Sequence, residues 1–274
     1  MSERPQTPDG SDRQPLIWDS PSRPDRVGVA GLRPNEESPL ASTPLAAGEE
    51  SMSVGGVVAK TSGLFAVMFV SASLPWTLAQ SGAEVGVFLW GGLIGAMVFA
   101  SIICVNPVKL ARPLAPMYAV MEGASLGALA VMVEQWLPGI ARQALELTFA
   151  IFLVMLVIHL VVRPARNAAF RRGVMAATSA IVLIYVVDIA MRWLLGSGGF
   201  VFLHERSLLT IGACVLILAV AAFNLTIDFE FIQENVQRGA PRDLEWFAAV
   251  SLVISLVWVF VESLRLLMML SSDD

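Results

Sequence analysis

Apolar residues do not alternate with polar ones along this chain. They run together in seven long stretches, separated by short polar breaks and preceded by about fifty residues with no such stretch. A window of about nineteen residues places the stretches at Val57–Leu78, Gly86–Val105, Leu114–Leu137, Ala144–Val162, Val174–Leu195, Leu208–Ile227 and Leu244–Leu270. At about 1.5 Å of rise per residue, each is long enough to cross roughly 30 Å of hydrocarbon as a helix. A span without alternation satisfies its backbone in lipid only by coiling into that helix. The pattern therefore predicts an all-α membrane fold of seven transmembrane helices. The breaks carry turn chemistry: Gln80-Ser81-Gly82, Asn106-Pro107 with Arg112-Pro113, Leu137-Pro138-Gly139, Arg163-Pro164, Gly196 to Gly199, and Arg238-Gly239-Ala240-Pro241.

Composition agrees, since 56% of the 274 residues are hydrophobic and only 15% charged, more apolar surface than a soluble core of this size buries. Residues 1–52 are a different material, rich in Pro, Ser, Asp, Glu and Arg, and too poor in apolar runs to repay the entropy of ordering. They are expected to form a disordered cytoplasmic tail, with 53–274 as the seven-helix domain. No basic segment with a short apolar stretch and a cleavage site precedes Ser53, so the first span is expected to direct insertion. Cys104 and Cys214 both fall inside apolar runs and read as small core residues.

Charge adds orientation. Lys109, Arg112, Arg163, Arg166, Arg171, Arg172, Arg238 and Arg242 lie on the connections after spans two, four and six; Arg142, Arg192, Arg206 and Arg265 lie on the other side. Basic residues near span ends stay cytoplasmic, which puts the amino terminus inside and the carboxyl terminus outside. Trp76, Trp136, Trp193 and Trp246 sit near span ends, as an interfacial belt requires. The pairs Gly82/Gly86, Gly91/Gly95 and Gly123/Gly127 would let helices approach closely.

Ionisable groups inside spans are the informative positions, because hydrocarbon tolerates them only beside a partner, a cavity or water. Five stand out: Glu122, His159, Asp188, Asp228 and Glu262. Asp188 precedes Arg192 by one turn, and a pair within the helix accounts for it. For His159, an interhelical hydrogen bond is a cheaper explanation than a proton relay, and Asn224 reads as interhelical glue. Glu122 lies about 12 Å inside span three with no basic residue within a turn, so it either carries a proton or faces a hydrated cavity. Asp228 closes span six and opens an acidic mouth continued by Glu230 and Glu234. A helix carboxyl end disfavours an anion unless a cation or proton compensates, which makes Asp228 the first functional candidate. Asp243 reads as the N-cap of span seven, with Glu245 merely favourable to the dipole.

The run Ile227-Asp228-Phe-Glu230-Phe-Ile232-Gln-Glu234, then Gly239-Ala240-Pro241, Glu245-Trp246 and Trp258-Val-Phe-Val-Glu262-Ser-Leu-Arg265, resembles the bacterial branch of the Bax inhibitor family. Tyr118-Ala-Val-Met-Glu122-Gly123 in span three is similar too. The resemblance covers about residues 53–274, and its most specific part is Asp-x-x-x-Ile closing span six. It implies six helices around a central seventh, a bacterial plasma membrane, and a cation leak, chiefly for Ca²⁺, with pH-sensitive gating. It further implies two facing acids, one closing span six and one in span seven, that share a proton.

Asp228 matches the first of those acids and Glu262 the second. Their spacing departs from the family pattern, because Glu262 falls about 27 Å along span seven and only Ser251 and Ser255 lie level with Asp228. Glu122 is then a substitute carboxylate.

Two readings follow: a pH-modulated cation path through Asp228 with Glu262 or Glu122, and a non-conducting regulator that binds other membrane proteins through its tail. No His-Glu-x-x-His, Gly-x-Ser-x-Gly or phosphate loop appears, so neither enzyme activity nor a cofactor is expected and no metal site is assigned. The basic residues follow topology rather than forming a nucleic-acid patch.

Overall fold

The computed structural model describes residues 51–162, 165, 167–195 and 207–271, apart from the side chains of Arg192, Trp193 and Leu195. Seven helices are long and apolar enough to cross a membrane: α1 (Val54–Gln80), α2 (Gly86–Val105), α3 (Pro107–Glu134), α4 (Ile140–Val161), α5 (Ala168–Leu195), α6 (Leu208–Gln237) and α7 (Leu244–Ser271). Among the described residues there is no named strand. The expected all-α seven-helix membrane fold is the one observed.

Local chemistry sets the helix starts. The Ser53 hydroxyl accepts from the Gly56 N–H, Asn106 Oδ1 from the Lys109 N–H and Ser207 Oγ from the Thr210 N–H, each satisfying an otherwise orphaned donor. Asn106 with Pro107 at the first helical position starts α3 seven residues before the Leu114 that hydropathy suggests, and Pro113 and Pro116 lie within the helix. Arg112-Pro113 is therefore not a break. α6 also outruns its apolar stretch, continuing ten residues past Ile227. It ends where Gly239 turns to φ 65°, with Gly239 and Ala240 N–H groups returning to the carbonyls of Val236 and Asn235, as a left-handed helix stop requires.

More than half of α7 is buried, a larger share than of any other span. It packs on α1, α3, α4 and α6, and Glu262 reaches Tyr185 on α5; α2 joins the bundle through α3. One core patch brings Leu64, Ala115, Tyr118 and Ala119 of α1 and α3 against Ala249 and Val253 of α7. Another sets Met155, Leu225 and Phe229 of α4 and α6 against Leu252 and Val259. Phe69, Trp90, Phe149, Leu153 and Leu183 are exposed, the face such helices offer to lipid.

Of the glycine pairs, Gly123/Gly127 makes the close crossing. A Cβ at either position would run into the α1 backbone, at Met68 and Ala72 respectively. Gly82 instead sits in a turn at φ 78°, Gly86 and Gly91 have open space, and it is Gly92 and Gly95 that meet α3, at the backbone of Met121 and Ser125 and at the Met121 side chain respectively. Trp76 and Trp136 are exposed at helix ends, and Trp246, in the first turn of α7, lies under the Lys60 ammonium, 5.4 Å from its ring centre. Trp193 and the Asp188–Arg192 pairing fall on side chains outside the described residues, as do residues 1–50 of the expected tail. Ser51 and Met52 belong to the folded body: Ser51 bridges Pro241, and buried Met52 donates its N–H to the Ala240 carbonyl at 2.7 Å.

Candidate functional site

Polar side chains along α7 occupy three heights: buried Glu245 in the first turn, partly buried Ser251 with buried Ser255 midway, and buried Glu262 two turns further on. Each height meets a different neighbouring helix.

At the middle height is Asp228, buried on α6. It lies nine residues before Gln237, the last residue of that helix, so the expectation that it sits at a helix carboxyl end, against the dipole, is corrected. The helix continues because Phe229 and Ile232 bury the same run against α4 and α7. The Ser251 hydroxyl donates to Asp228 Oδ1 at 2.6 Å, and the Ser255 hydroxyl donates to Oδ2 at 2.5 Å. Those serines, one turn apart on α7, are the residues that lie level with Asp228. These two hydrogen bonds fasten α6 to α7.

Glu262, only 2% exposed, has other company. Tyr185 on α5 donates its hydroxyl to Glu262 Oε1 at 2.6 Å, and Trp258 Nε1–H donates to the same oxygen at 3.3 Å. Arg265 lies 3.8 Å from Oε2 and donates to the Tyr185 hydroxyl at 2.7 Å. The two acids expected to face each other thus stand at different heights with different partners. Seven residues separate Ser255 from Glu262, about 10 Å of helix rise. Glu122 is buried on α3, fifteen residues from its first residue Pro107, one turn after buried Tyr118. Among the described residues its carboxylate has no hydrogen-bond partner.

The acidic mouth joins α6 to α4 and α5. His159 Nδ1 lies 3.9 Å from Glu230 Oε2, both side chains buried, and His159 Nε2 lies 3.3 Å from Gln233 Oε1. Glu234 faces Arg171 and Arg238, each at 4.0 Å. His159 is thus the interhelical contact its position suggests, and Asn224 donates to Thr178 across the α5–α6 seam at 2.8 Å.

Sequence reasoning misses the third height. Glu245 is 1% exposed: its Oε2 is paired with the Lys60 ammonium, and its Oε1 accepts from the Ser53 N–H at 2.8 Å and the Ser53 hydroxyl at 3.1 Å. The available signal was Lys60, a charge inside the first apolar run. Asp243 meets Arg112 at 3.8 Å, both side chains largely exposed. Among the described residues, no group of three or more His, Cys, Asp or Glu side chains could hold a metal ion. Asp228, Ser251 and Ser255 bring two carboxylate and two hydroxyl oxygens together.

A model of the family described as Bax inhibitor 1 like matches residues 20–272, and so takes in part of the segment before Ser53. No curated protein and no solved structure matches the chain.

Proposed function

Because the chain belongs to the Bax inhibitor 1-like family, we propose that it is a pH-sensitive leak pathway for cations, Ca²⁺ first among them, closed by the fastening of Asp228 to α7. The observation that carries this reading is a carboxylate buried at mid-bundle whose two oxygens are held by hydroxyls of the central helix. An acid at such depth is expensive in a merely structural role. Asp228, Ser251 and Ser255 together offer carboxylate and hydroxyl oxygens, the hard ligands that Ca²⁺ takes. Conduction requires α7 to slide or turn until the serines let go of the carboxylate and a cation replaces their hydrogens.

The sign of the pH effect follows from charge. An ionised Asp228 draws a cation, and a protonated one does not, so the leak rises with pH and is lost as the proton binds. Glu122 on α3 supplies a second buried carboxylate to the path. Glu262, neutralised by Arg265 and held by Tyr185, closes the far end of α7. Glu230 and Glu234 form the approach from the end that carries the basic connections. By the distribution of Lys and Arg, that end is cytoplasmic; the resemblance to the bacterial branch of the family is what supports a bacterial plasma membrane.

Ca²⁺ flux across liposomes containing the full chain, at several pH values, tests the reading. Wild type is expected to leak faster at higher pH, and Asp228→Asn to lose that dependence. A wild type that passes no cation at any pH overturns transport and leaves the non-conducting membrane regulator as the surviving account.

A further inference from the structure

The leak reading makes no use of the buried ion pair at the third height, where α1 and α7 begin and α6 ends. There the chain approaching α1 is tied down at three successive residues. Ser51 forms an antiparallel bridge with Pro241 in the α6–α7 turn. Met52, 2% exposed, donates its N–H to the Ala240 carbonyl at 2.7 Å. Its side chain packs with Val57, Ile232, Leu244 and Ala248, and so with the ends of three helices. Ser53 gives both its N–H and its hydroxyl to Glu245 Oε1 while capping α1 through the Gly56 N–H. Lys60, one and a half turns into α1, takes the other Glu245 oxygen. Gly56 leaves the room this requires, since a Cβ there would overlap the Glu245 carboxylate.

Capping α1 needs only the Ser53 hydroxyl, and an apolar pair would hold two helix ends together without desolvating charges. What an ion pair with its carboxylate buried and hydrogen-bonded through both oxygens adds is register between the partners. Glu245 lies six and ten residues before Ser251 and Ser255 on the same helix. Fixing Glu245 therefore fixes the height at which those serines meet Asp228. Fifty residues of the chain precede the strap, so a pull or a partner acting on them reaches α7 through Ser51–Ser53.

We infer that residues 51–53, locked by Lys60 and Glu245, are a strap that holds the central helix in its closed register. Release of the strap lets α7 move off Asp228. The strap's effect on flux rests on the leak reading; its mechanical coupling to α7 does not.

The test uses the full chain in phosphatidylcholine–phosphatidylglycerol vesicles. Lys60→Gln is expected to speed amide hydrogen exchange at least tenfold in residues 51–60 and in residues 244–256 together, with the conservative Lys60→Arg keeping wild-type protection in both. Exchange that rises in 51–60 while 244–256 keeps wild-type protection overturns the strap. In a Cys104→Ala/Cys214→Ala background, Ser51→Cys/Pro241→Cys joins the bridged pair. The disulfide form is expected to leak at least tenfold less Ca²⁺ than its reduced form, an arm that stands even if Lys60→Gln does not fold. A pH-dependent leak through Asp228 that neither Lys60→Gln nor the disulfide alters refutes the strap and spares the leak reading. Coupled exchange in vesicles that never pass Ca²⁺ refutes the leak reading and spares the strap.

Discussion

The Ser255 hydroxyl on α7 donates to Asp228 Oδ2 on α6 at 2.5 Å, and this contact links the most enclosed helix to a carboxylate buried among its neighbours. With Ser251 on the other oxygen, each carboxylate oxygen accepts one hydrogen bond across the α6–α7 seam. Removing both hydroxyls by Ser251→Ala/Ser255→Ala strips two donors from a buried acid, at about 1–3 kcal/mol per lost bond. The double variant is expected to melt earlier in detergent and to leak faster than wild type in liposomes. An unchanged leak with a lowered melting point would mean the clamp is structural only.

Replacing the charge separates chemistry from packing. Asp228→Asn keeps an oxygen acceptor for one serine and nearly the same volume, so its melting point should stay close to wild type. Its leak should be small and flat with pH, whereas the wild-type leak grows as the solution becomes more alkaline. Flux recorded on the same preparation across pH decides this, and a variant that retains the wild-type profile removes Asp228 from the gate.

At the far end of α7, Tyr185→Phe deletes one hydroxyl that serves both Glu262 at 2.6 Å and Arg265 at 2.7 Å. The loss leaves Trp258 as the hydrogen-bond donor to Glu262 Oε1 and should cost about 1–3 kcal/mol. Thermal unfolding in detergent checks it. Glu262→Gln in the Tyr185→Phe background should cost less than the sum of the single changes, because both remove the same contact.

The crossing of α1 and α3 is tight enough to be tested by one methyl group. Gly123→Ala and Gly127→Ala each push a Cβ into the backbone of Met68 or Ala72, and overpacking of this kind costs about 1–3 kcal/mol. Gly91→Ala, with nothing within 4 Å, should instead be neutral or stabilising, by up to about 1 kcal/mol, since Gly weakens a helix interior. Melting points that rank the three variants otherwise would show that helix crossing is not what these glycines serve.

The sequence alone determined that there are seven spans and where most of them lie, because coiling in hydrocarbon is dictated locally, by a run of apolar side chains whose backbone has no other partner. It also named the acids worth watching, since a charge in such a run is out of place wherever the helix points. It placed Ser251 and Ser255 level with Asp228, since height along a helix follows from residue count. Tertiary structure decided which way each helix faces and who its neighbours are. Tyr185 meets Glu262 across 77 residues, and Lys60 meets Glu245 across 185; no local pattern encodes either contact. Where α6 ends was also beyond hydropathy, because its last ten residues stay helical by packing Phe229, Ile232 and Asn235 into the bundle rather than by being apolar throughout. Height is a property of one helix, and partnership is a property of two.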